Sequence, residues 1–223
     1  MEFESVNIRE PDGAARWVDA GRPIVPCLLV GGVASPILHV SQLATMLGLE
    51  APAHLEATRL AWDAAAVLDA WLKLIRPLDH ETLTAPTPSR GRSLRNLTVN
   101  VFHPFELLPI AFETGRFDWD PTLDEDREAA LPDAAAVVAY ASDRHLAWQD
   151  WLRESETDLL TRDPDITSPR GRVTYANLLD SQRWHAAFHY RQLLAFLDGH
   201  GYDLTGALSI ASLDGLTLPA EIF

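Results

Sequence analysis

The sequence of 223 residues contains one cysteine and one lysine and has no long apolar run. The single cysteine, Cys27, excludes an internal disulfide framework and a CxxC redox pair. Any metal site must therefore be built from histidine and carboxylate side chains, with at most one thiolate. We interpret Cys27 as a small buried apolar residue, with a reactive thiol as the alternative.

Positive charge is scarce as well. Lysine and arginine total 18 against 32 acidic residues, which gives a formal net charge of −14, and no basic run occurs. Binding to nucleic acid or to an anionic membrane surface is therefore disfavoured. No segment approaches the ~20 apolar residues that a membrane span requires, and the N-terminus has no signal-peptide pattern. We expect a cytoplasmic protein that acts on a small molecule.

Residues 1–50 are predicted to form a small β-α-β-β-α unit. Its predicted elements are a strand over 3–8, a helix over 11–20, a strand over 27–30, a Gly31-Gly32 turn, a strand near Ile37 and a helix over 41–47. With Val25-Pro26 opening the second strand, this order resembles the C-terminal part of a glutaredoxin. The glutaredoxin segment that carries the catalytic cysteine has no counterpart here.

That resemblance implies a cis peptide bond at Val25-Pro26. It also implies that these two residues line a groove for a low-molecular-weight thiol such as glutathione or mycothiol. Because half of a glutaredoxin unit exposes sheet edges that need covering, a homodimer is a further expectation.

Residues 54–200 carry helical periodicity, so the chain is predicted to be mainly α with a four-helix bundle. The predicted helices span 54–75, 93–115, 133–153 and 174–199, and long connections join them. Pro104 and Pro109 interrupt the second helix, where we expect a kink or a break right after His103. The apolar tail, residues 201–223, is predicted to pack back onto the body.

The last of these helices carries His185 and His189 on one face, one turn apart. Two imidazoles at this spacing can bind one metal ion, although one such pair among eight histidines is close to chance. A third ligand would have to come from another helix. His103 is the best candidate because it lies deep in the second helix, after the apolar residues Val101 and Phe102.

The combination of four helices, His103 and the HAAFH sequence followed by Tyr190-Arg191-Gln192 resembles the DinB-like (DinB/YfiT) metalloprotein superfamily. The apolar pair Leu178-Leu179 before the histidines matches as well. The resemblance implies that His103, His185 and His189 bind zinc or nickel. Pro104, directly after the first ligand, departs from the family pattern.

A divalent ion with an open position would activate water or a thiol, and Glu106 and Asp143 are candidate acid–base residues. Gln182 and Gln192 flank the histidine pair and are candidates for orienting a bound cofactor. The resemblance implies a metal-dependent, thiol-linked transferase or isomerase that acts on a small electrophile. A metal-dependent hydrolase, a non-catalytic metal-binding or interaction protein, and a bundle with metal-free core histidines are the alternatives.

Overall fold

The computed structural model describes residues 4–8, 10–50, 55–88, 91–120, 124–213, 215–216 and 218–220. Its helices are α1 (Pro11–Asp19), α2 (Val40–Leu47), α3 (Ala57–Ile75), α4 (His80–Thr84), α5 (Leu94–Thr114), α6 (Asp124–Ala129), α7 (Ala134–Thr161) and α8 (Tyr175–Gly199), with a 3-10 turn at Ile210–Ser212. Its strands are β1 (Cys27–Val30), β2 (Val33–Pro36), β3 (Asp165–Ser168) and β4 (Gly171–Thr174). The prediction of a mainly helical chain is confirmed.

The long helices α3, α5, α7 and α8 pack against one another. Helix α3 contacts α7 and α8, and helix α5 contacts the same two. Large apolar side chains fill the space between the four, among them Trp71, Phe102, Trp148 and Tyr190, all almost completely buried. This apolar burial stabilises the fold and positions every helix that carries a candidate site residue.

Side chains at the helix starts explain where three of these helices begin. Ser93, Asp133 and Thr174 each accept a hydrogen bond from the backbone N–H three residues later, as N-cap residues do. Helix α7 runs to Thr161, well beyond its predicted end at residue 153, because its second half buries Leu159 in the core.

Helix α5 is not interrupted after His103, so the expected break is absent. It is one continuous helix of 21 residues with Pro104 and Pro109 inside it. Each proline removes one backbone hydrogen bond, but the apolar residues around Pro104 are buried by the neighbouring helices. Tertiary packing of this kind outweighs the local preference of the backbone.

The connections between the long helices contain more structure than the sequence predicts. The linker after α3 contains α4, whose Leu83 is buried, and the linker after α5 contains α6. Strands β3 and β4 form an antiparallel hairpin directly before α8, with Asp165 opposite Thr174. These additions place polar side chains against the ends of α5 and α8.

In the N-terminal unit, residues 4–8 form no strand, contrary to the prediction; Phe3 lies outside the described residues. The segment instead runs over α1, where Gly13 leaves room for the carbonyl oxygen of Asn7. Strands β1 and β2 form the expected hairpin around Gly31-Gly32, both with positive φ (56° and 82°). The Val25-Pro26 peptide bond is cis.

Hydrogen bonds attach this unit to α8 and to the β3–β4 turn, and they attach the C-terminal tail to α8. The hydroxyl of Ser181 donates to the carbonyl oxygen of Leu38 (2.9 Å), and Gln42 Nε2 donates to the carbonyl oxygen of Arg170 (3.1 Å). The backbone N–H of Leu208 donates to the Tyr190 hydroxyl (3.0 Å). Within the described part of the chain, no helix combines the length and apolar character needed to cross a bilayer.

Candidate functional site

The three predicted histidines lie where α5 and α8 face each other. His103 on α5 and His189 on α8 are buried, and His185 on α8 is half-buried. The rings of His185 and His189 meet edge to face with their centroids 4.6 Å apart. We call these three side chains, together with Asn100, Asp124 and Gln192, the histidine cluster.

Asp124, the first residue of α6, joins His103 to Asn100. Its carboxylate accepts from His103 Nδ1 (3.3 Å) and from Asn100 Nδ2 (2.8 Å). All three side chains are buried. Because a carboxylate can only accept, the proton of the neutral His103 ring lies on Nδ1, and Nε2 carries the lone pair.

His185 is connected to the same pair through the amide of Asn100. The oxygen Oδ1 of Asn100 lies 3.1 Å from His185 Nε2 and 3.4 Å from Nη1 of Arg92. Since that oxygen is an acceptor, His185 donates from Nε2 and carries its lone pair on Nδ1. The nitrogen Nδ1 is buried and has no hydrogen-bond partner within the described residues.

His189 is oriented from its own helix. Its Nδ1 lies 2.7 Å from Oε1 of Gln192, one turn further along α8. The proton of the neutral ring is therefore on Nδ1, and Nε2 carries the lone pair. In its neutral form, each imidazole of the histidine cluster thus has one donating nitrogen fixed by a neighbour and one nitrogen with a lone pair, the form in which histidine binds metal ions.

The surroundings of His185 favour its neutral form. Burial is the main cause that holds its pKa well below the ordinary value, and the nearby His189, Arg92 and Arg170 lower the pKa further. A neutral imidazole at pH 7 can act as a metal ligand or as a hydrogen-bond acceptor without first losing a proton.

A tryptophan that packs against His185 also has a polar atom without a partner among the described residues. Trp119, in the loop after α5, packs its ring edge to face with His185 at 5.0 Å. Its indole nitrogen is buried and has no hydrogen-bond partner among the described residues. Buried polar atoms without partners are uncommon, and each indicates a position for a bound group or water.

The three histidines do not converge as ligands in this arrangement. Over the described ranges, no group of three or more His, Cys, Asp or Glu side chains is placed so that it could hold a metal ion. The donor types and the His185 lone pair fit a divalent ion. The number of converging ligands falls short of the three that a catalytic zinc site has.

Glu106 and Asp143 lie outside the histidine cluster. Glu106 is exposed on α5 and approaches Arg144 of α7 at 3.5 Å. Asp143 is exposed on α7. No hydrogen bond or ion pair described for these two carboxylates reaches a histidine of the cluster, although the sequence interpretation grouped them with the metal site.

The predicted cofactor-binding residues fall into two places. Gln192 holds His189, as described above, and Gln182 is buried on α8 with an Oε1 that has no partner among the described residues. Val25 is half-buried and Pro26 exposed at the start of β1, in the N-terminal unit. The carbonyl oxygen of Pro26 accepts from the N–H of Ile37, which closes the hairpin.

Sequence reasoning missed four polar residues of this region: Arg92, Asn100, Trp119 and Asp124. Asn100 could have been found, because it lies three residues before His103 and so shares its face of α5. Asp124 is 21 residues from His103 in an acidic segment that resembles a solvated surface, and only the path of the chain brings it back.

Compared with protein-family models, with curated proteins and with solved structures, the chain gives no significant match. Its site is therefore interpreted from its own residues.

Proposed function

We propose that the chain is a metal-dependent enzyme of the DinB-like type, with His103, His185 and His189 as ligands of a divalent ion such as zinc or nickel. The observation that carries this proposal is the hydrogen-bonding pattern that the three imidazoles share. Each has one nitrogen hydrogen-bonded to a side chain of the cluster and a lone pair on the other. Since they do not converge at present, binding the ion requires side-chain rearrangement around His185.

Each residue of the cluster then has a separate role. Asp124 fixes the tautomer of His103, and Gln192 fixes that of His189, as outer-shell partners do in metal sites. Asn100 of α5 donates to Asp124 and accepts from His185 of α8, which holds α5 and α8 in register. When bound, a divalent ion would lower the pKa of a water or thiol and polarise a carbonyl group.

The reaction proposed is a thiol-linked transfer or isomerisation of a small electrophile, with glutathione or mycothiol as the thiol. Its support is the N-terminal unit, which is attached to α8 through Leu38 and to the β3–β4 turn through Gln42. A cleft of about 640 Å³ lies where this unit meets the β3–β4 hairpin, and Pro36, Gln42 and Asn177 are among its lining residues. Titration with glutathione and mycothiol tests this part, and no binding of either would overturn it.

Metal analysis of protein purified without chelator or histidine tag tests the ligand assignment. About one zinc or nickel ion per chain is expected in the wild type. His103→Ala, His185→Ala and His189→Ala should each lose most of it. His145→Ala is the matched control, because His145 is a buried histidine of α7 outside the cluster. Full metal content in His185→Ala would overturn the assignment.

A second candidate is favoured by the absence of converging ligands among the described residues. In it, the histidine cluster is a metal-free hydrogen-bonded network inside a helical binding protein. Wild-type protein that contains no zinc or nickel, and that takes up neither when they are added, would support this candidate over the enzyme.

A further inference from the structure

Ser41, His39 and Asp180 form a hydrogen-bonded series outside the histidine cluster. Ser41 Oγ lies 2.9 Å from His39 Nδ1, and His39 Nε2 lies 3.1 Å from Asp180 Oδ2. His39 and Ser41 stand at the start of α2, whereas Asp180 comes from α8, 141 positions further along the chain. A hydroxyl, an imidazole and a carboxylate in this order have the geometry of nucleophile, base and orienting group in serine hydrolases.

The hydrogen bonds fix which nitrogen of His39 can accept a proton. Because a carboxylate only accepts, the neutral His39 ring donates from Nε2 to Asp180. The backbone N–H of Ser41 donates to Nδ1 at 3.1 Å, which independently places the lone pair on Nδ1. The hydroxyl of Ser41 therefore donates to that lone pair as well, and Nδ1 is a base directed at a nucleophile.

Asp180 is held in position to orient His39. Its Oδ1 accepts from Nε and Nη2 of Arg183, at 3.1 and 2.8 Å, while its Oδ2 accepts from His39. The His39 side chain is buried, so water contributes little to stabilising the imidazolium that forms when Nδ1 takes a proton. The charge of Asp180 supplies that stabilisation.

Ser41 lies in the wall of a cleft that has the size and the polar groups of a ligand site. This is the cleft of about 640 Å³ between the N-terminal unit and the β3–β4 hairpin, within the usual range for small-molecule pockets. Asn177, in the same wall, is only 6% exposed, and its Oδ1 has no partner among the described residues. A buried polar atom of this kind indicates a position for a bound molecule.

We propose that this cleft is a second active site that hydrolyses a small ester, with Ser41 as nucleophile, His39 as its base and Asp180 as the positioning residue of His39. The activity goes beyond the metal-dependent reaction proposed above. It requires neither a metal ion nor a thiol, although the thiol is proposed to occupy the same cleft.

The reaction has two steps, with water as the second reactant. Ser41 Oγ attacks the carbonyl carbon of the ester while its proton passes to His39 Nδ1, and His39 then protonates the departing alcohol oxygen as the C–O bond breaks. Water attacks the resulting acyl-serine, its proton returns through His39 to Ser41 Oγ, and the carboxylic acid leaves. When Nδ1 is protonated, the N–H of Ser41 loses its acceptor and is available to the oxyanion.

Covalent labelling of chelator-treated, full-length protein with a fluorophosphonate tests the nucleophile. Peptide mapping by mass spectrometry should find about one label per chain, on Ser41. Ser41→Ala should remain unlabelled. Ser35→Ala is the matched control and should be labelled like the wild type, because Ser35 lies in the same cleft and makes no hydrogen bond to a histidine within the described residues.

His39→Asn separates a base from a helix cap. His39 is the N-cap residue of α2, and asparagine is a favoured N-cap that also accepts from the backbone but cannot act as a base. The variant should therefore melt close to the wild type and label at least about a hundredfold more slowly. No label on Ser41 of the wild type, or equally fast labelling of His39→Asn, would overturn the proposal and leave His39 as a cap only.

Hydrolysis of p-nitrophenyl acetate tests the reaction. The wild type should release a burst of about one p-nitrophenolate per chain, the sign of an acyl-enzyme, and Ser41→Ala should show none. Asp180→Asn, assayed where circular dichroism shows it folded, should lower kcat about tenfold or more with KM changed less than about twofold, as expected when only the orientation of His39 is lost. A burst that survives in Ser41→Ala would overturn the proposal.

The same assays separate this inference from the proposed function. If metal analysis finds no ion but Ser41 is labelled and the burst is present, the esterase stands and the metal proposal fails. If chelation abolishes the burst and zinc restores it, the metal performs the hydrolysis and the assignment to Ser41 fails. Unchanged labelling of His185→Ala would support two independent sites.

Discussion

Helix α8 carries two polar clusters that differ in how completely their groups are paired. The Arg183 cluster consists of His39, Arg59, Asp63, Asp180 and Arg183. Arg183 donates to Asp63 Oδ2 at 3.0 Å and to Asp180 Oδ1 at 2.8 Å, and Asp180 also lies 3.1 Å from His39. In the histidine cluster, two residues further along, His185 keeps a ring nitrogen without a partner among the described residues.

The difference separates a structural role from a binding role. The charges of the Arg183 cluster are matched by one another, and they tie α3, α8 and the N-terminal unit together. Charges matched in this way need no added ligand. Among the described residues, His185 of the histidine cluster retains an acceptor without a partner and the adjacent Trp119 retains a donor without one, as expected of a site that binds a ligand.

The largest expected effect comes from breaking the Arg183 cluster. Arg183→Met leaves the buried Asp63 with Arg59 as its remaining described salt-bridge partner, and should lower the free energy of unfolding by about 3 kcal/mol. Urea unfolding followed by circular dichroism measures the change. Arg153→Met, which removes an exposed ion pair with Asp150, is the control and should stay within about 0.5 kcal/mol. Similar losses in both variants would contradict the distinction.

A smaller effect is expected from the matching change in the histidine cluster. His185→Leu removes one hydrogen bond to Asn100 but also removes a buried nitrogen without a partner. These contributions oppose each other, so the unfolding free energy of metal-free protein should change by less than about 1 kcal/mol. The same urea experiment measures it. A loss as large as that of Arg183→Met would make the histidine cluster a structural network.

The smallest effect concerns pH. Burial alone would raise the pKa of Asp180, but hydrogen bonds from His39 and Arg183 outweigh it, and the folded-state pKa is lowered. The stabilisation is therefore complete above the unfolded pKa of about 4 and is lost as the pH falls from there through the lowered folded pKa.

Melting temperatures between about pH 2.5 and pH 6 test this dependence. Asp180→Asn should be less stable than the wild type at pH 6 and should lose less stability on acidification. Asp143→Asn, at an exposed position of α7, should follow the wild-type curve. Parallel curves for the wild type and Asp180→Asn would show that the pairing of Asp180 contributes nothing measurable.

Local patterns made the long helices predictable. Apolar residues at three- and four-residue spacing located the starts of α5, α7 and α8 within one residue. The Gly31-Gly32 hairpin followed from turn chemistry for the same reason. The strand predicted at 3–8 and the break at Pro104 were wrong, because each depended on what would pack against that segment.

The sequence by itself determined the helical class, the α8 face that carries His185 and His189, and the scarcity of cysteine and of positive charge. Periodicity and composition act over a few residues and can be read without knowing the path of the chain. Only the tertiary structure decided which polar groups meet. It brought Asp124 to His103 across 21 positions and Asn100 to His185 across 85 positions. It also paired Arg183 with Asp63 and Asp180, because pairing depends on which helices pack together.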